Sequence, residues 1–334
     1  MQSVLKKCLV ILLFLLSTSC WAVPRYKLTD LGKGVASAIN NHGQVVGHSN
    51  PVYQISHAVI WQKGAVQEIG PAWSQAYSIN DKGQVVGLCK GRAVVWQFGQ
   101  MTELIALPPP NADFDPAFES GATSINDAGQ IVGYCIFRAH YGPESRVQRV
   151  DFTYGFLWQH GRMTSMGLQN DALTAAINNL GKINFFISVH GPNDSHLGVV
   201  TGINDRNQII GTLYLGRVTK NNRNIKHAFL SFNGKARDLG TLGGLPSVPH
   251  AVNNSGDVVG DSDTASHRPY QPNSDNSSHA FLWRTGKMWD LNRFLPVRSG
   301  WVLLSANGIN DRGQVVGDGM YKNRHHAFLL TPVP

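Results

Sequence analysis

Four histidines recur at the same position of a repeated word, and this pattern raises the question of a metal site. They begin the segments "HAVIW", "HAFLS", "HAFLW" and "HAFLL" at His57, His227, His279 and His326. A zinc or copper site needs several imidazoles or thiolates that converge on one ion at about 2 Å. The equivalent residue is Arg92 in "RAVVW" and Tyr154 in "YGFLW", and a position that accepts His, Arg or Tyr is typical of a polar contact at the start of a strand. We therefore predict no metal ion and no cofactor.

The second repeated feature is an Asn-Asp pair in the words "SINDKGQVVG", "SINDAGQIVG", "GINDRNQIIG" and "GINDRGQVVG". A calcium loop of the EF-hand type takes several oxygen ligands from a longer loop that ends in a bidentate carboxylate. Each of these turns is short, and Asn41 and Asn254 replace the acid in two further copies. The pairs therefore indicate tight turns, in which Asn and Asp are favoured.

Catalysis would need a nucleophile or a pair of carboxylates, as in glycoside hydrolysis. The residues before the Ile-Asn word are small and neutral, and the chain has no Gly-x-Ser-x-Gly elbow, His-Glu-x-x-His word or phosphate-binding loop. Acids in longer loops, such as Asp113, Asp115 and Glu119, could still supply acid and base groups. We predict no catalytic residue, and an enzyme stays an alternative.

Four short segments recur in a fixed order and predict the elements that carry these residues. They are "YSIN", "QVVG", "HAFLW" and "MWDLN" or their variants, each rich in β-branched or aromatic residues and bounded by Gly, Asn or Asp. Asn-Asp-x-Gly joins the first two segments, which fits a type I turn followed by a left-handed Gly. Pairs such as Lys63-Gly64 join the last two. Each repeat is therefore predicted to be a four-stranded antiparallel meander whose first segment lies innermost.

Several such sheets in succession predict an all-β fold, a β-propeller. The last repeat ends at "HAFLLTPVP" without a fourth segment, whereas "YKLTDLG" (residues 26–32) is a fourth segment without the first three. We expect this N-terminal strand to close the ring by completing the last blade, which removes an open sheet edge. The third segment occurs six times and the Ile-Asn word seven times, so six blades are predicted, with seven as the alternative. The surplus copy, at about 173–200, is predicted to be a decayed repeat or an inserted hairpin.

The first residues are predicted to be a signal peptide. Lys6 and Lys7 precede the apolar run from Cys8 to Leu16, and a small residue follows at Ala22, which is the pattern of a cleaved secretory signal. The run is shorter than the about 20 apolar residues that span a bilayer. The expected division is a signal peptide at 1–22, cleaved near Ala22, and one propeller at 23–334. The mature protein is expected to be secreted or periplasmic, without a membrane span.

Charge and loop composition predict a binding surface. The net charge of +8 falls to +6 when Lys6 and Lys7 leave with the signal. Links between the second and third segments vary in length and interleave basic with aromatic residues, and loops on a rigid scaffold often bind partners. The candidate ligand-binding residues are Arg138, His140, Tyr141, Tyr214, Arg217, Lys220, Arg223, Lys226, Tyr321, Lys322 and Arg324. They would suit an anionic glycan, a membrane surface with its lipid headgroups, or an acidic protein, and an ordinary solvated loop face is the alternative. We expect a monomer that binds no nucleic acid.

Cys89 and Cys135 occupy equivalent places in successive repeats, in "VVGLC" and "IVGYC". An exported pair could be oxidised, but a disulfide requires Cα atoms within about 7 Å. A disulfide and two free thiols both stay open.

The repeats resemble a known family. The segment "DLGTLGGLPSVPHAVNNSGDVVG" (residues 238–260), followed by "HAFLW", is similar to the HAF-repeat extracellular proteins, which are named for the His-Ala-Phe triplet. The resemblance covers nearly the whole mature chain, although Ala58-Val59, Ala93-Val94 and Gly155-Phe156 depart from Ala-Phe. It implies export and a repeat fold, and it implies no defined reaction. We predict a secreted, non-enzymatic binding or interaction module, with a glycan-active hydrolase or lyase as the alternative.

Overall fold

A computed structural model describes residues 25–49, 55–105, 119–141, 148–168, 176–184, 186–189, 196–218, 224–265 and 278–333. The predicted signal peptide lies outside these ranges. The described residues form antiparallel sheets arranged as a β-propeller and contain no α-helix, so the all-β prediction is confirmed. Within these ranges no helix is long and apolar enough to cross a membrane.

Six blades surround the axis in the described ranges. Strands are numbered in chain order. Blade 1 contains β2 (Val35–Ile39), β3 (Val45–His48), β4 (His57–Gln62) and β5 (Ala65–Ala72), and blade 2 contains β6 (Ser74–Ile79), β7 (Val85–Cys89), β8 (Arg92–Gln97) and β9 (Gln100–Glu103). Blade 3 contains β10 (Glu119–Ile125), β11 (Ile131–Tyr141), β12 (Gln148–Gln159) and β13 (Arg162–Leu168).

The second half of the chain repeats this order. Blade 4 contains β17 (His196–Ile203), β18 (Ile209–Val218), β19 (Asn224–Phe232) and β20 (Lys235–Asp238), with β16 (Phe186–Val189) added beside β17. Blade 5 contains β21 (Gly243–Val252), β22 (Val258–Thr264), β23 (Ser278–Arg284) and β24 (Lys287–Asp290), and a 3-10 helix at Leu291–Phe294 follows it. Blade 6 contains β25 (Trp301–Ile309), β26 (Val315–Tyr321), β27 (Arg324–Val333) and β1 (Arg25–Lys33).

Strand β1 closes the ring. It pairs antiparallel with β27, from Arg25 opposite Val333 to Lys33 opposite His326, and forms the outer edge of blade 6. The Nδ1 atom of His326 lies 2.9 Å from a carboxylate oxygen of Asp30 and joins the two strands a second time. The predicted closure by the N-terminal strand is confirmed.

The repeated turns have the predicted geometry. Gly83 has a positive φ of 76°, and its N–H donates to the carbonyl oxygen of Asn80 at 3.0 Å. Asn207 takes the place of this Gly in blade 4 and adopts a φ of 58°, because Asn tolerates the left-handed region better than most residues. These turns lie together on one face of the propeller, which we call the turn face. The links between second and third strands lie on the opposite face, the loop face.

The ring has seven inner positions although it has six full blades. A hairpin of β14 (Ala176–Ile177) and β15 (Ile183–Asn184) lies between blades 3 and 4, in the region predicted to be a decayed repeat or an inserted hairpin. Seven asparagine side chains link the inner strands, because the Nδ2 atom of each donates to the carbonyl oxygen of the next at 2.8–3.2 Å. They are Asn40, Asn80, Asn126, Asn178, Asn204, Asn253 and Asn310. The hairpin therefore holds the fourth of seven places around the axis.

Candidate functional site

The repeated histidines tie the third strand of a blade to its fourth strand. His227 lies 2.9 Å from Asp238, His279 lies 2.8 Å from Asp290, and Arg92 approaches Glu103 in the same way at 4.0 Å. The predicted polar contact at the strand start is confirmed. Among the described residues no group of three or more His, Cys, Asp or Glu is placed to hold a metal ion.

Asp290 shows what this contact does to a carboxyl group. Burial acts to raise its pKa, but hydrogen bonds from His279 and from the backbone N–H of Asn292 outweigh burial. The pKa of Asp290 is therefore held below its ordinary value, and the side chain is ionised at neutral pH. The contact therefore joins the third and fourth strands of one blade through an ionised carboxylate.

The Asn-Asp pairs form a second ring on the turn face. Each backbone N–H at the position after the ring asparagine donates to the side chain of the equivalent residue in the next inner strand, at 2.8–2.9 Å. This ring contains Asn41, Asp81, Asp127, Asn179, Asp205, Asn254 and Asp311. It surrounds a cavity of about 240 Å³ at the turn-face end of the axis. The pairs make tight turns, as predicted, and they also connect neighbouring blades.

A second cavity, of about 230 Å³, lies farther along the axis on the loop side, and we call it the axial cavity. A ring of branched aliphatic residues separates it from the turn-face cavity and lines both of them, for example Ile79, Ile203 and Val252. Two positions before each aliphatic residue, a polar side chain of each of the six innermost strands also lines it. These are Ser37, Tyr77, Thr123, Thr201, His250 and Asn307, which we call the bulge residues. No Lys or Arg is among the residues that line it in the described ranges.

A β-bulge produces this lining in every blade. In each of the six innermost strands the register with the second strand shifts at the bulge residue, so that the strand-to-strand pairing skips this position. The shift presses an inner-strand carbonyl oxygen against the Gly of "VVG". A Cβ atom at Gly87, for example, would overlap the carbonyl oxygen of Gln75. Bulges are common next to functional sites because they re-aim a side chain.

Two carboxylates support the bulge residues of blades 5 and 6. His250 Nε2 lies 2.6 Å from Asp261, and Asn307 Nδ2 donates to Asp318 at 3.1 Å. Burial raises the pKa of Asp318 above its ordinary value, and the nearby charge of Asp261 adds to this, although Asn307, His325 and His250 act in the opposite direction. Neither carboxylate was among the candidate residues predicted from the sequence. The signal for them was the word "VVGD", in which Asp follows the bulge-facing Gly in these two blades only.

Two tyrosines and a glutamate lie on the side of blades 2 and 3. The Tyr134 hydroxyl is 3.2 Å from a carboxylate oxygen of Glu119, and the Tyr77 hydroxyl donates to Gln75 at 3.0 Å. Burial, with the charge of Glu119, raises the pKa of Tyr77 to about 12. The phenol of Tyr77 is therefore neutral over the physiological range, and it lines the axial cavity as a hydrogen-bonding group.

The predicted basic and aromatic residues do not all lie in loops. Arg138, His140 and Tyr141 belong to β11, which continues in register with β12 as a long hairpin, so the expected loop is wrong at these positions. Arg217 likewise lies in β18. The side chains of these four residues lie outside the described part of the structure, as do Lys220 and Arg223 altogether.

The described members of this set form cation–π and stacking contacts. Lys226 faces Tyr214 across β18 and β19, with its Nζ 5.0 Å from the ring centroid. Lys322 Nζ lies 5.0 Å from the ring centroid of Tyr321, whose ring stacks on Trp301 at 5.1 Å. Arg324 begins the next strand, opposite Tyr321. Basic groups thus lie against aromatic rings at two separate places on the loop face.

The two cysteines are free and buried, so the disulfide that the sequence left open is not formed. Cys89 packs with Val46 and Ala76 between blades 1 and 2, whereas Cys135 packs with Ile125 and Phe156 in the layer between blades 2 and 3. The two thiols occupy equivalent sites, and the thickness of a blade separates them.

Both thiols should resist alkylation until the protein unfolds. Burial raises the pKa of Cys135 to about 12, so only about 10⁻⁴ of it is thiolate at pH 8. Iodoacetamide at that pH should label neither cysteine in the native mature protein, and it should label both in denaturant without a reductant, as read by intact mass. Two unlabelled cysteines in denaturant that become reactive only after reduction would reveal a disulfide and contradict this prediction.

Comparison with known proteins supplies a family. Residues 92–328 match DUF3466, which is described as a protein of unknown function. The chain belongs to the DUF3466 family. No HAF-repeat family matches, so the likeness to HAF-repeat proteins stays a resemblance between the repeated words. No curated protein has a sequence that matches this DUF3466 chain.

Three solved structures that match this DUF3466 protein have little sequence in common with it. A gluconolactonase from Xanthomonas campestris is 12% identical with a TM-score of 0.45, over 92% of this chain and 90% of that one. The extracellular domain of the one-component system BT4673 from B. thetaiotaomicron is 10% identical with a TM-score of 0.47, over 91% of this chain and 39% of that one. Porphyromonas gingivalis dipeptidyl peptidase 4 is 11% identical with a TM-score of 0.33, over 84% of this chain and 50% of that one.

Proposed function

We propose that this DUF3466 protein is a secreted or periplasmic, non-enzymatic binding module that recognises an anionic partner through its loop face. The observation that carries the proposal is the contrast between the two faces. The turn face repeats one tight turn seven times around the axis, whereas the loop face varies from the tight Lys322-Asn323 turn to the long β11–β12 hairpin. Variable links on a rigid scaffold are typical of a binding surface.

The positive charge of the loop face favours an anionic partner. Lys226 and Lys322 each lie against a tyrosine ring, and such pairs offer a cation together with a flat apolar surface. Arg217, Lys220 and Arg223 add positive charge to the same link of blade 4 in the sequence. An anionic glycan, a lipid headgroup or an acidic protein matches this composition.

A binding screen with a matched control tests the proposal. Residues 23–334 are applied to arrays of glycans, lipids and envelope proteins, beside a variant with Arg217, Lys220, Arg223 and Lys226 changed to Ser. The control changes Lys63, Lys82, Lys182 and Lys235 to Ser, which removes the same charge from exposed turn-face positions. The loop-face variant should bind at least about tenfold more weakly than the parent at low salt, and the control should bind as the parent does.

The result that overturns the proposal is equal binding by the two variants, since a general charge effect would lower both. Retention of full affinity as salt rises would also count against a charged interface, because exposed charges are screened.

A second candidate function is a glycan-active enzyme, and one observation favours it. Burial raises the pKa of Asp318, which lies within electrostatic reach of Asp261 beside the axial cavity, and a carboxyl group with a raised pKa can act as the acid in glycoside cleavage. They come from the second strands of blades 5 and 6 rather than from inter-blade loops. Of the loop acids proposed from sequence, Asp113 and Asp115 lie outside the described residues, and Glu119 begins β10. Product analysis of glycans incubated with the parent and with Asp318→Asn tests this candidate.

A further inference from the structure

We propose that the axial cavity is a second binding site, independent of the loop face, for one uncharged polyhydroxylated molecule about the size of a single sugar ring. The bulge residues determine its specificity. The proposal rests on which positions of the repeat vary, on the hydrogen-bonding capacity of the side chains that face the cavity, and on the charge around it.

Variation within the inner strands is concentrated at the bulge. The aliphatic residue and the Asn that follow it repeat in every blade, and so does the Gly that faces the bulge on the second strand. The bulge itself carries Ser, Tyr, Thr, Thr, His and Asn in turn. Apolar packing does not require this diversity, because these side chains line the cavity and none of them belongs to the apolar layers between blades. Thr201 and Asn307 each also donate to a backbone carbonyl of the next blade. Constant structural residues combined with one variable, inward-facing residue per blade are typical of a binding site on a rigid scaffold.

The polar groups at the cavity retain both donor and acceptor capacity. Tyr77 and Thr201 donate their hydroxyl hydrogens to Gln75 and to the carbonyl oxygen of Pro249, at 3.0 and 2.8 Å, so their oxygens remain able to accept. The Ser37 hydroxyl can donate, and His250 keeps its Nδ1 atom because Nε2 faces Asp261. A ligand hydroxyl both donates and accepts, whereas a phosphate or carboxylate mainly accepts and an ammonium only donates. A polyol matches this mixture.

Charge and size narrow the class further. Asp261 and Asp318 lie directly behind His250 and Asn307, and their negative charge disfavours an anionic ligand in a cavity without a Lys or Arg in its described lining. The volume of about 230 Å³ is below the about 300–1,000 Å³ of pockets for drug-sized ligands. The ring of Ile and Val side chains at the inner end offers an apolar surface to the C–H groups of a small polyol.

Calorimetric titration of residues 23–334 tests this assignment. The probes are glucose, galactose, mannose and myo-inositol, with glucuronate and glucosamine as charged analogues. At least one neutral probe should bind, and it should bind at least about tenfold more tightly than its charged analogue. Ser37→Val and His250→Phe should each weaken binding about tenfold or more. His250→Phe leaves Asp261 with a hydrogen bond from Ser278. The loop-face variant with four basic residues changed to Ser should bind the sugar as the parent does.

The results that overturn the assignment are distinct from those that overturn the loop-face proposal. The axial cavity is not the site if no neutral probe binds at about 50 mM, if a charged analogue binds as tightly, or if both bulge variants bind as the parent does. The unmodified protein gives a second readout that does not depend on a variant folding. The ring C–H signals of His250 should shift in NMR spectra as the sugar is added, and unchanged signals at saturation would contradict the proposal.

Discussion

A chain that lacks residues 25–33 should fail to fold. Strand β1 covers the edge of β27, and its residues Tyr26 and Leu28 pack into the apolar layer between blades 5 and 6, while Leu31 packs between blades 6 and 1. Each of these partly buried side chains contributes roughly 1–2 kcal/mol, and the backbone pairing of the whole strand is lost with them. The sum is comparable with the about 5–15 kcal/mol that stabilises a domain. Circular dichroism should show no cooperative melting, and gel filtration should show aggregates built on the exposed edge.

A circular permutant provides the matched control. Because Arg25 lies opposite Val333, an Asn-Gly dipeptide can connect Val333 to Arg25 as a two-residue hairpin turn. A chain that runs from 35 to 333, through this dipeptide, and then from 25 to 33 contains the same strand in one continuous blade 6. It should melt cooperatively near the temperature of the parent. A truncated chain that melted like the parent, or a permutant that failed to fold, would show that the contribution of β1 is not the closure of the ring.

The closure of the ring and the blades were predictable from the sequence because local signals specify both. The word "SINDKGQVVG" contains a strand, a turn and a second strand, and each part obeys a local rule: alternation in the strands, Asn at the first turn position, and Gly where φ is positive. The two counts in the sequence each describe a different part of the molecule. The third segment occurs six times, and there are six blades in the described ranges. The Ile-Asn word occurs seven times, and the inner ring has seven asparagines.

The ambiguity between six and seven blades had a physical cause. The copy at Ile177 keeps the residues that bond along the axis, including Asn178 and Asn179, and it lacks segments that would pair farther out. Ring bonds join residues 26 to 57 positions apart in sequence, and 270 apart where the ring closes. No local pattern reveals whether such distant partners meet.

The residues that line the axial cavity were predictable from the sequence, but the directions of their side chains were not. The pairs before Ile-Asn, such as Tyr77-Ser78 and Asn307-Gly308, do line it. Alternation along a regular strand would send neighbouring side chains to opposite faces, and the bulge is what brings both toward the cavity. Its signal is the facing Gly of "VVG", which looks like a strand end in sequence and is a steric necessity in the fold. The support of His250 by Asp261 depends on pairing between strands and has no local sequence signal.

Replacement of Asn80 by Ala should lower the free energy of unfolding by about 3–5 kcal/mol. The side chain is 3% exposed, and its Nδ2 atom donates to the carbonyl oxygen of Asn126 at 2.9 Å and to Gln84 Oε1 at 2.8 Å. Its Oδ1 accepts from the backbone N–H groups of Lys82 and Gln84 at 3.1 and 2.9 Å. Each buried group left without a partner costs about 1–3 kcal/mol. Urea titration monitored by tryptophan fluorescence measures the loss, and Lys82→Ala, at an exposed position of the same turn, should change stability by less than about 0.5 kcal/mol.

The Asn80→Asp variant distinguishes the role of the side chain within its own turn from its role in the ring of asparagines. A turn accepts Asp as readily as Asn, and Asp keeps the acceptor oxygen that Lys82 and Gln84 use. It loses the donor, however, and it places a negative charge against the carbonyl oxygen of Asn126 in the next blade. If the asparagine mainly forms its own turn, the Asp variant should be about as stable as the parent. If the asparagines hold neighbouring blades together along the axis, Asp should destabilise the protein at least as much as Ala does. The closed ring of seven donors leads us to expect the second result, because an ionised carboxyl group has no hydrogen to pass to the next strand.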